Sequence, residues 1–487
     1  MQSIALTDYG FLLAESSESP KHVAALIVFD PPTNYQGNFV ADLFHEMRRL
    51  PPGPPFDQKI KPGLPTPPMW VPDTHMDLEY HLRHAALPRP GTMEELMTLV
   101  SRLHARLLDR DRPLWECYLI EGLEEGRFAI YAKLHHALMD GATGVLLMQS
   151  MLAKSPEEKM PRAFWEGPRK PLGRPRRVPA PLEQILEAAT VLRNQAQAVP
   201  ELSRALLKMA LQSLGVRQSR IPVPFMAPRS PLNAPITAAR RVATATLSLQ
   251  RIKRVGKAFD ATVNEVVLTV VDSALNRYLR EKEALPDEPL VAQMPVSLRR
   301  EGDTRGGNQI TILLVSLGSR DAGPVQRLQE IKTSSAQVKQ DTRTLSSAAI
   351  TDYMILTQGA ALALHVLGLS QQLPPLANVL VSNVPGPTTP LYLNGATVVA
   401  LYPLSTLPPG LSLNVTVFTY NGAMDFGLVA DRYALPELAY LADLLTESFE
   451  NLEAAVDKPA SKPRPQDILG SHNQGKKRLR TLKFTVP

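Results

Sequence analysis

The feature that most constrains this chain is the run His135-His136-Ala137-Leu138-Met139-Asp140-Gly141, which sets a neutral-pH base and a turn-forming pair at the end of an expected strand. Upstream, Phe128, Ile130, Ala132 and Leu134 alternate with Ala129, Tyr131 and Lys133, the period of a strand with one apolar face. Carried forward, that period puts His136 on the apolar face and His135 on the opposite one. Imidazoles pointing in opposite directions do not share an ion, so the pair reads as two roles and no metal is expected. Neutral imidazole is the side chain suited to taking a proton from a hydroxyl or an amine near pH 7. Asp140-Gly141 then turns the chain: Asp bonds local backbone or pairs with a buried Arg, and Gly takes conformations other residues avoid. A lone histidine here is most often a satisfied core residue. Four fixed residues at this spacing arise by chance on the order of once in a thousand chains of this length, which favours an enzyme with His136 as base and His135 orienting it.

At 487 residues the chain is too long for one ordinary core, and its composition divides it. Residues 1–153 read as a first half of alternating strands and helices, among them Met93–Leu108, that ends just after the His-His run. Residues 154–231 shift to Pro, Arg and Lys around the amphipathic segments Leu182–Ala198 and Glu201–Leu214, a helical connector that packs on the body, lies on a membrane or meets a partner. Residues 232–456 read as a second half, strand-like at Ala243–Leu249, Ile310–Leu317, Val379–Ser382 and Leu411–Phe418, with helices between. Residues 457–487 read as a flexible basic tail. From Lys458 onward it holds eight Lys and Arg against Asp467 alone, so it accounts for the net charge of +6 and leaves the body close to neutral. With Leu479, Leu482, Phe484 and Val486 among them, these cations suit an anionic membrane surface, where each is worth about 1 kcal/mol. No recognised nucleic-acid motif accompanies them, so nucleic acid is not an expected partner.

Cys117 is the single cysteine, which excludes an internal disulfide and fits a reducing compartment. The first twenty residues lack the basic start and apolar centre of a secretory signal, and the apolar stretch Ala360–Leu369 is too short to cross a bilayer. The expected location is cytoplasmic, with any membrane contact peripheral. Pro113-Leu114-Trp115 opens an apolar run to Ile120, and Glu121–Gly126 supplies turn residues before the next strand, so a hairpin is expected with Trp115 structural. In such a strand Cys117 packs as a small hydrophobe rather than serving as a nucleophile. Thr262 and Glu265 form the capping box of a helix running to Leu279.

The His-His-x-x-x-Asp-Gly run resembles the signature of the coenzyme A-dependent acyltransferase superfamily, which includes chloramphenicol acetyltransferase-like enzymes and peptide-synthetase condensation domains. Within it the chain resembles the bacterial wax ester synthase/diacylglycerol acyltransferase family nearly end to end. The residues that carry the likeness are Asp8-Tyr9-Gly10-Phe11, Ala14-Glu15, Pro113-Leu114-Trp115, Pro231-Leu232-Asn233, Asn264-Glu265-Val266-Val267-Leu268, Pro295-Val296-Ser297-Leu298-Arg299 and Ser382-Asn383-Val384-Pro385-Gly386-Pro387. Glu265 departs from the Asp more usual after that Asn. The resemblance implies an α/β fold of two chloramphenicol acetyltransferase-like sandwich halves with a tunnel between them, joining an acyl-coenzyme A entrance to an acceptor entrance. It implies no bound cofactor, with acyl-coenzyme A as co-substrate and a long-chain alcohol or a diacylglycerol as acceptor.

On the same footing Arg299 pairs with Asp140 and holds the histidine loop, a role suited to a fork-shaped guanidinium. Asn264 reaches the thioester oxygen from its helix start, and Ser382 and Asn383 line the tunnel. Gly141 completes the turn. His136 takes the hydroxyl proton as oxygen attacks the thioester, both substrates being bound together because no protein nucleophile is needed. Two other readings stand beside this one: amide formation as in condensation domains, against which the lack of an attached carrier domain argues, and a catalytically silent lipid-binding or lipid-body protein. The sequence leaves acyl chain length, the alcohol-to-diacylglycerol balance and oligomeric state open.

Overall fold

Strand periodicity and helix caps account for most of the element boundaries in the computed structural model, which describes residues 2–4, 6–62, 68–139, 144, 147, 149–159, 162–167, 224–297, 310–343, 357–359, 361 and 372–456. Asp140, Gly141, Arg299, the connector segments Leu182–Ala198 and Glu201–Leu214, and the tail from residue 457 lie outside the described residues. Nearly all of the apolar stretch Ala360–Leu369 lies outside them too.

In the first third of the chain the described elements are β1 (Gln2–Ser3), α1 (Leu6–Leu13), β2 (His22–Asp30), α2 (Phe39–Met47), β3 (Gln58–Lys61), β4 (Met69–Pro72), α3 (Leu78–His81), β5 (Leu82–Ala86), α4 (Met93–Ala105), β6 (Trp115–Glu121) and β7 (Phe128–His135). After the connector come β8 (Arg240–Ser248), α5 (Leu249–Ala258), α6 (Val263–Glu281), β9 (Val291–Ser297), β10 (Ile310–Ser316) and α7 (Pro324–Arg343). The last run is β11 (Val379–Val384), β12 (Tyr392–Leu393), β13 (Ala396–Leu404), β14 (Leu413–Tyr420), β15 (Ala423–Asp431) and α8 (Leu438–Glu453).

The strands build two six-stranded sheets, β12-β13-β2-β7-β6-β5 and β10-β9-β11-β14-β15-β8, beside a small β1-β4-β3 sheet. The expected hairpin is present as β6 and β7, antiparallel with Trp115 opposite Leu134. Helices α5, α6, α7 and α8 cover one face of the second sheet and bury its Ala292, Met294, Val379, Val381, Val415 and Val417. The capping boxes begin α4 at Thr92 and α6 at Thr262, the second as the sequence predicts.

Two features go beyond the sequence reading. Every residue of β7 is buried, not only the apolar alternates. Phe128, Ile130, Ala132 and Leu134 enter one cluster, while Ala129 and Tyr131 enter another beneath α4. Lys133, on that second face, is fully buried because its Nζ donates to the Leu103 and Arg106 carbonyls at the end of α4 and pairs with Glu116 at 3.1 Å. The second feature is a crossover: β13, from the second half of the chain, lies in the first sheet, antiparallel to β2 from Thr397 opposite Asp30 to Leu404 opposite Ala24. The Pro403 carbonyl presses against Gly427 of β15, where a Cβ would stand 1.8 Å from that oxygen, so only glycine lets the sheets meet there.

Candidate active site

The strand period that places the two histidines holds through His135 and then ends. His135 is the last residue of β7, opposite His22, and His136 begins a turn closed by the Leu138 amide donating to the His135 carbonyl at 2.9 Å. His136 is therefore not the next strand residue, although its amide still donates to the Lys21 carbonyl at 2.8 Å. This release from the pleat lets the two rings reach different surroundings.

His135 is fully buried, and its two ring nitrogens have different surroundings. The Ala137 amide donates to Nδ1 at 3.0 Å, which fixes Nδ1 as the bare nitrogen and puts the proton on Nε2. Nε2 faces Glu15 Oε1 at 3.3 Å, off the line of a well-formed hydrogen bond but close enough for the carboxylate to hold that tautomer. The Glu15 carboxylate also accepts from the Lys21 amide at 3.1 Å and from Arg110 at 3.0 Å. Burial pushes Glu15 up, yet the bond and charge of His135, the Lys21 amide and Arg110 outweigh it and leave its pKa below the ordinary value. The Ala137 N–H at Nδ1 and the Glu15 carboxylate beside Nε2 fix the orientation of the His135 ring within the core.

His136 is only half-buried and stacks on Phe11 of α1, with centroids 4.1 Å apart and planes inclined by 17°. Of the pair, it is the ring open to a substrate. Phe11 and Glu15, one on each histidine, were quoted in the sequence only as marks of resemblance. Some 120 residues separate them from the pair, so no local spacing signals the contact.

Trp115 lies in the core beside this turn. It is fully buried, donates to the Phe56 carbonyl at 2.8 Å and stacks on Trp165 and His81, and the Leu114 carbonyl before it accepts the His135 amide. Cys117 is fully buried in β6, and burial pushes its thiol far above its usual range, in keeping with a small packed hydrophobe.

Two of the remaining predicted residues meet each other. Asn383, near the end of β11, donates through Nδ2 to Oδ1 of Asn264 at 2.8 Å, in the first turn of α6. Holding that oxygen turns the Asn264 amide hydrogens away from Asn383, beside the positive end of a nineteen-residue helix. Glu265 is occupied as a cap, accepting from the Thr262 amide at 2.8 Å with Lys339 3.5 Å away. Ser382 is half-buried opposite Thr416 on the other face of β11. The histidines and the asparagines sit on different sheets, joined by one apolar cluster. Val384, next to Asn383, packs with Phe418 and Tyr420 against the cluster that also holds Leu134, Leu138 and Met139 around the histidines.

Among the described residues no three His, Cys, Asp or Glu side chains gather as a metal site, and no helix is long and apolar enough to cross a membrane. A half-open imidazole, a buried neighbour beside it and amide donors at a helix start suit proton transfer to and from a substrate with stabilisation of an oxyanion.

Comparison with known proteins points the same way. The chain matches the wax ester synthase/diacylglycerol acyltransferase catalytic domain over residues 4–267 and the WS/DGAT C-terminal domain over residues 306–453. It is 39% identical over 454 residues to the probable diacylglycerol O-acyltransferase tgs2 of Mycobacterium tuberculosis, covering 92% of this chain and 98% of that one. It is 36% identical over 463 residues to the O-acyltransferase WSD of Acinetobacter baylyi, covering 94% and 98%. The solved wax ester synthase/diacylglycerol acyltransferase of Marinobacter aquaeolei VT8 superposes with a TM-score of 0.74 at 34% identity, over 94% of this chain and all of that one. The first condensation domain of the CDA synthetase shares the fold at 16% identity, with a TM-score of 0.56 over 95% and 97%.

Proposed function

This chain belongs to the wax ester synthase/diacylglycerol acyltransferase family and is an O-acyltransferase, and from that premise we propose that His136 is its general base. The reaction moves a long-chain fatty acyl group from acyl-coenzyme A to a fatty alcohol, giving a wax ester, or to diacylglycerol, giving triacylglycerol. The observation that carries this reading is the division of labour in the histidine pair, with the buried His135 ring held in place by the Ala137 amide and Glu15 and His136 left half-open on Phe11.

His136 takes the acceptor's hydroxyl proton as its oxygen attacks the thioester carbon, and the amide hydrogens of Asn264 stabilise the resulting oxyanion. Collapse breaks the carbon–sulfur bond, and His136 returns the proton to the departing thiolate. Asn383 positions Asn264, and Ser382 lines the approach. Asp140, Gly141 and Arg299 are assigned the support of the histidine loop. Acyl-coenzyme A enters and leaves as a substrate rather than a resident cofactor.

The decisive measurement is coenzyme A release from palmitoyl-coenzyme A with hexadecanol or a diacylglycerol, comparing the wild type with folded His136→Ala. Loss of about 10² to 10⁴ in rate with the acceptor still required supports the assignment; full activity in the variant, or ping-pong kinetics, refutes it. The protein works at a membrane or lipid-body surface held by its basic tail, and loss of salt-sensitive liposome binding on removing residues 458–487 tests that location.

A further inference from the structure

Apart from the histidines, Gln293 of β9 is 1% exposed, and its Oε1 has no hydrogen-bond partner among the described residues. An unpaired amide oxygen in the interior forfeits the hydrogen bonds it would make with water, so its persistence in the middle of a sheet calls for a compensating donor. The sheet register says where that donor must come from. Gln293 stands opposite Leu314 on β10 and Leu380 on β11, while Ala292 and Met294 on either side of it face the helices. Its side chain is therefore on the face turned away from α5–α8, the face that carries Leu380 and Ser382. Two strands over, Asn414 and Thr416 occupy the same face, but they satisfy each other, Thr416 Oγ1 donating to Asn414 Oδ1 at 2.8 Å and Asn414 Nδ2 to the Thr406 carbonyl at 2.7 Å. Gln293 has no such arrangement. Its Cα lies about 8 Å from that of Ser382, one strand across and two residues along.

The chemistry of the substrates discriminates among possible donors. A fatty alcohol and a diacylglycerol each carry a single O–H, which the reaction gives to His136, and their other oxygens are acceptors that cannot pair with Oε1. The pantetheine arm of acyl-coenzyme A carries two amide N–H groups and a hydroxyl close behind the thioester sulfur. We propose that Gln293 Oε1 accepts a hydrogen bond from an amide of that arm, making Gln293 a donor-side specificity residue. The inference rests on acyl-coenzyme A being the acyl donor.

The test is Gln293→Met, which keeps length and volume while removing the acceptor, assayed on two donors: palmitoyl-coenzyme A and the palmitoyl thioester of 2-mercaptoethanol, which lacks the amides. The expected result is a five- to twenty-fold rise in KM for palmitoyl-coenzyme A, with kcat and acceptor KM near wild type, no change with the amide-free donor, and a urea midpoint equal to or above wild type. An unchanged KM for palmitoyl-coenzyme A, or an equal rise with both donors, overturns the proposal. A lowered midpoint with KM unchanged also overturns it, by making Gln293 structural. If Gln293→Met does not fold, the wild type decides alone: N-methylation of the pantetheine amides should cost the same factor, and no loss refutes the contact. A wild type that turns over neither coenzyme A donor nor acceptor removes the acyl-coenzyme A reading itself. Normal turnover with an indifferent Gln293 removes only this inference.

Discussion

Replacing Glu15 by Ala tests whether the N-terminal segment holds the histidine pair. Oε1 of this carboxylate serves both the Lys21 amide and His135 Nε2, while Oε2 takes Arg110. Arg110 is about half exposed and its share is largely screened, so it is set aside. Removing the side chain leaves the Lys21 amide without its acceptor and His135 Nε2 without the carboxylate it faces, in a pocket where that carboxylate is only 2% exposed, and the stranded amide alone costs about 1–3 kcal/mol. With Nε2 released, His135 is free to turn or change tautomer, and the turn carrying His136 moves with it. A misplacement on this scale costs about ten- to a hundredfold in kcat. Glu15→Gln keeps an oxygen at the Oε1 position and should recover most of both losses. It should differ in acid. Because the folded pKa of Glu15 lies below 4.5, the carboxylate contributes stability that is full above that value and is lost as pH falls through the folded pKa, a slope the Gln variant lacks. Urea unfolding from pH 3 to 7 and acyl-transfer kinetics at pH 7 read both effects. An Ala variant with wild-type midpoint and kcat refutes the argument, as does a Gln variant as damaged as Ala.

Asp425 carries the opposite pH dependence. Burial raises its pKa from 3.8 to about 6 against bonds from the Leu401 amide and Thr246, so its contribution is full below pH 3.8 and is lost as pH rises through about 6, by up to about 3 kcal/mol. Asp425→Asn, with its oxygen on the Leu401 amide and its nitrogen on Thr246 Oγ1, should be the more stable protein at pH 7.5 and should flatten the decline between pH 4 and 7; a lower urea midpoint than wild type at pH 7.5 refutes this. Lys133→Met should cost about 2–4 kcal/mol in urea unfolding, because it strands two helix-end carbonyls in the interior, while Glu116 loses its lysine but keeps Arg83 and the Tyr118 hydroxyl. A loss below about 1 kcal/mol would show that the cap is dispensable.

What the sequence made legible was local. The β6–β7 hairpin and the Thr262–Glu265 box need information from only a few neighbouring residues, and both formed as read. Different surroundings for the His135 and His136 rings followed from a two-residue period, although the strand stops one residue earlier than that period implies. Lys133 misleads any reading by polarity, since it is buried by what it caps rather than by its own character. Two further local signals were present and carried structure: Asn394-Gly395 and Asn421-Gly422 take positive φ and close β12–β13 and β14–β15 as two-residue hairpins. Phe11, Glu15 and the Asn264–Asn383 bond depend on chain separations of more than a hundred residues, and no periodicity reports them.

The crossover of β13 explains why the seven-residue run does not make a site by itself. By its backbone β13 belongs to the first sheet, where it pairs with β2 and so covers an edge that would otherwise expose a ladder of unpaired groups. By its contacts it belongs to the second: the Leu401 amide donates to Asp425, Tyr402 meets Thr246 at 3.1 Å, and Pro403 rests on Gly427. Strand β2 in turn is the neighbour of β7 and places Lys21 and His22 against the histidines. A shift of the second half against the first therefore acts through β13 and β2 on His135 and His136 directly, and the same shift moves Asn264 and Asn383 from the other side. His136 and the Asn264–Asn383 pair are registered to each other through a strand that both sheets hold, so the geometry proposed for acyl transfer requires the two halves to be docked.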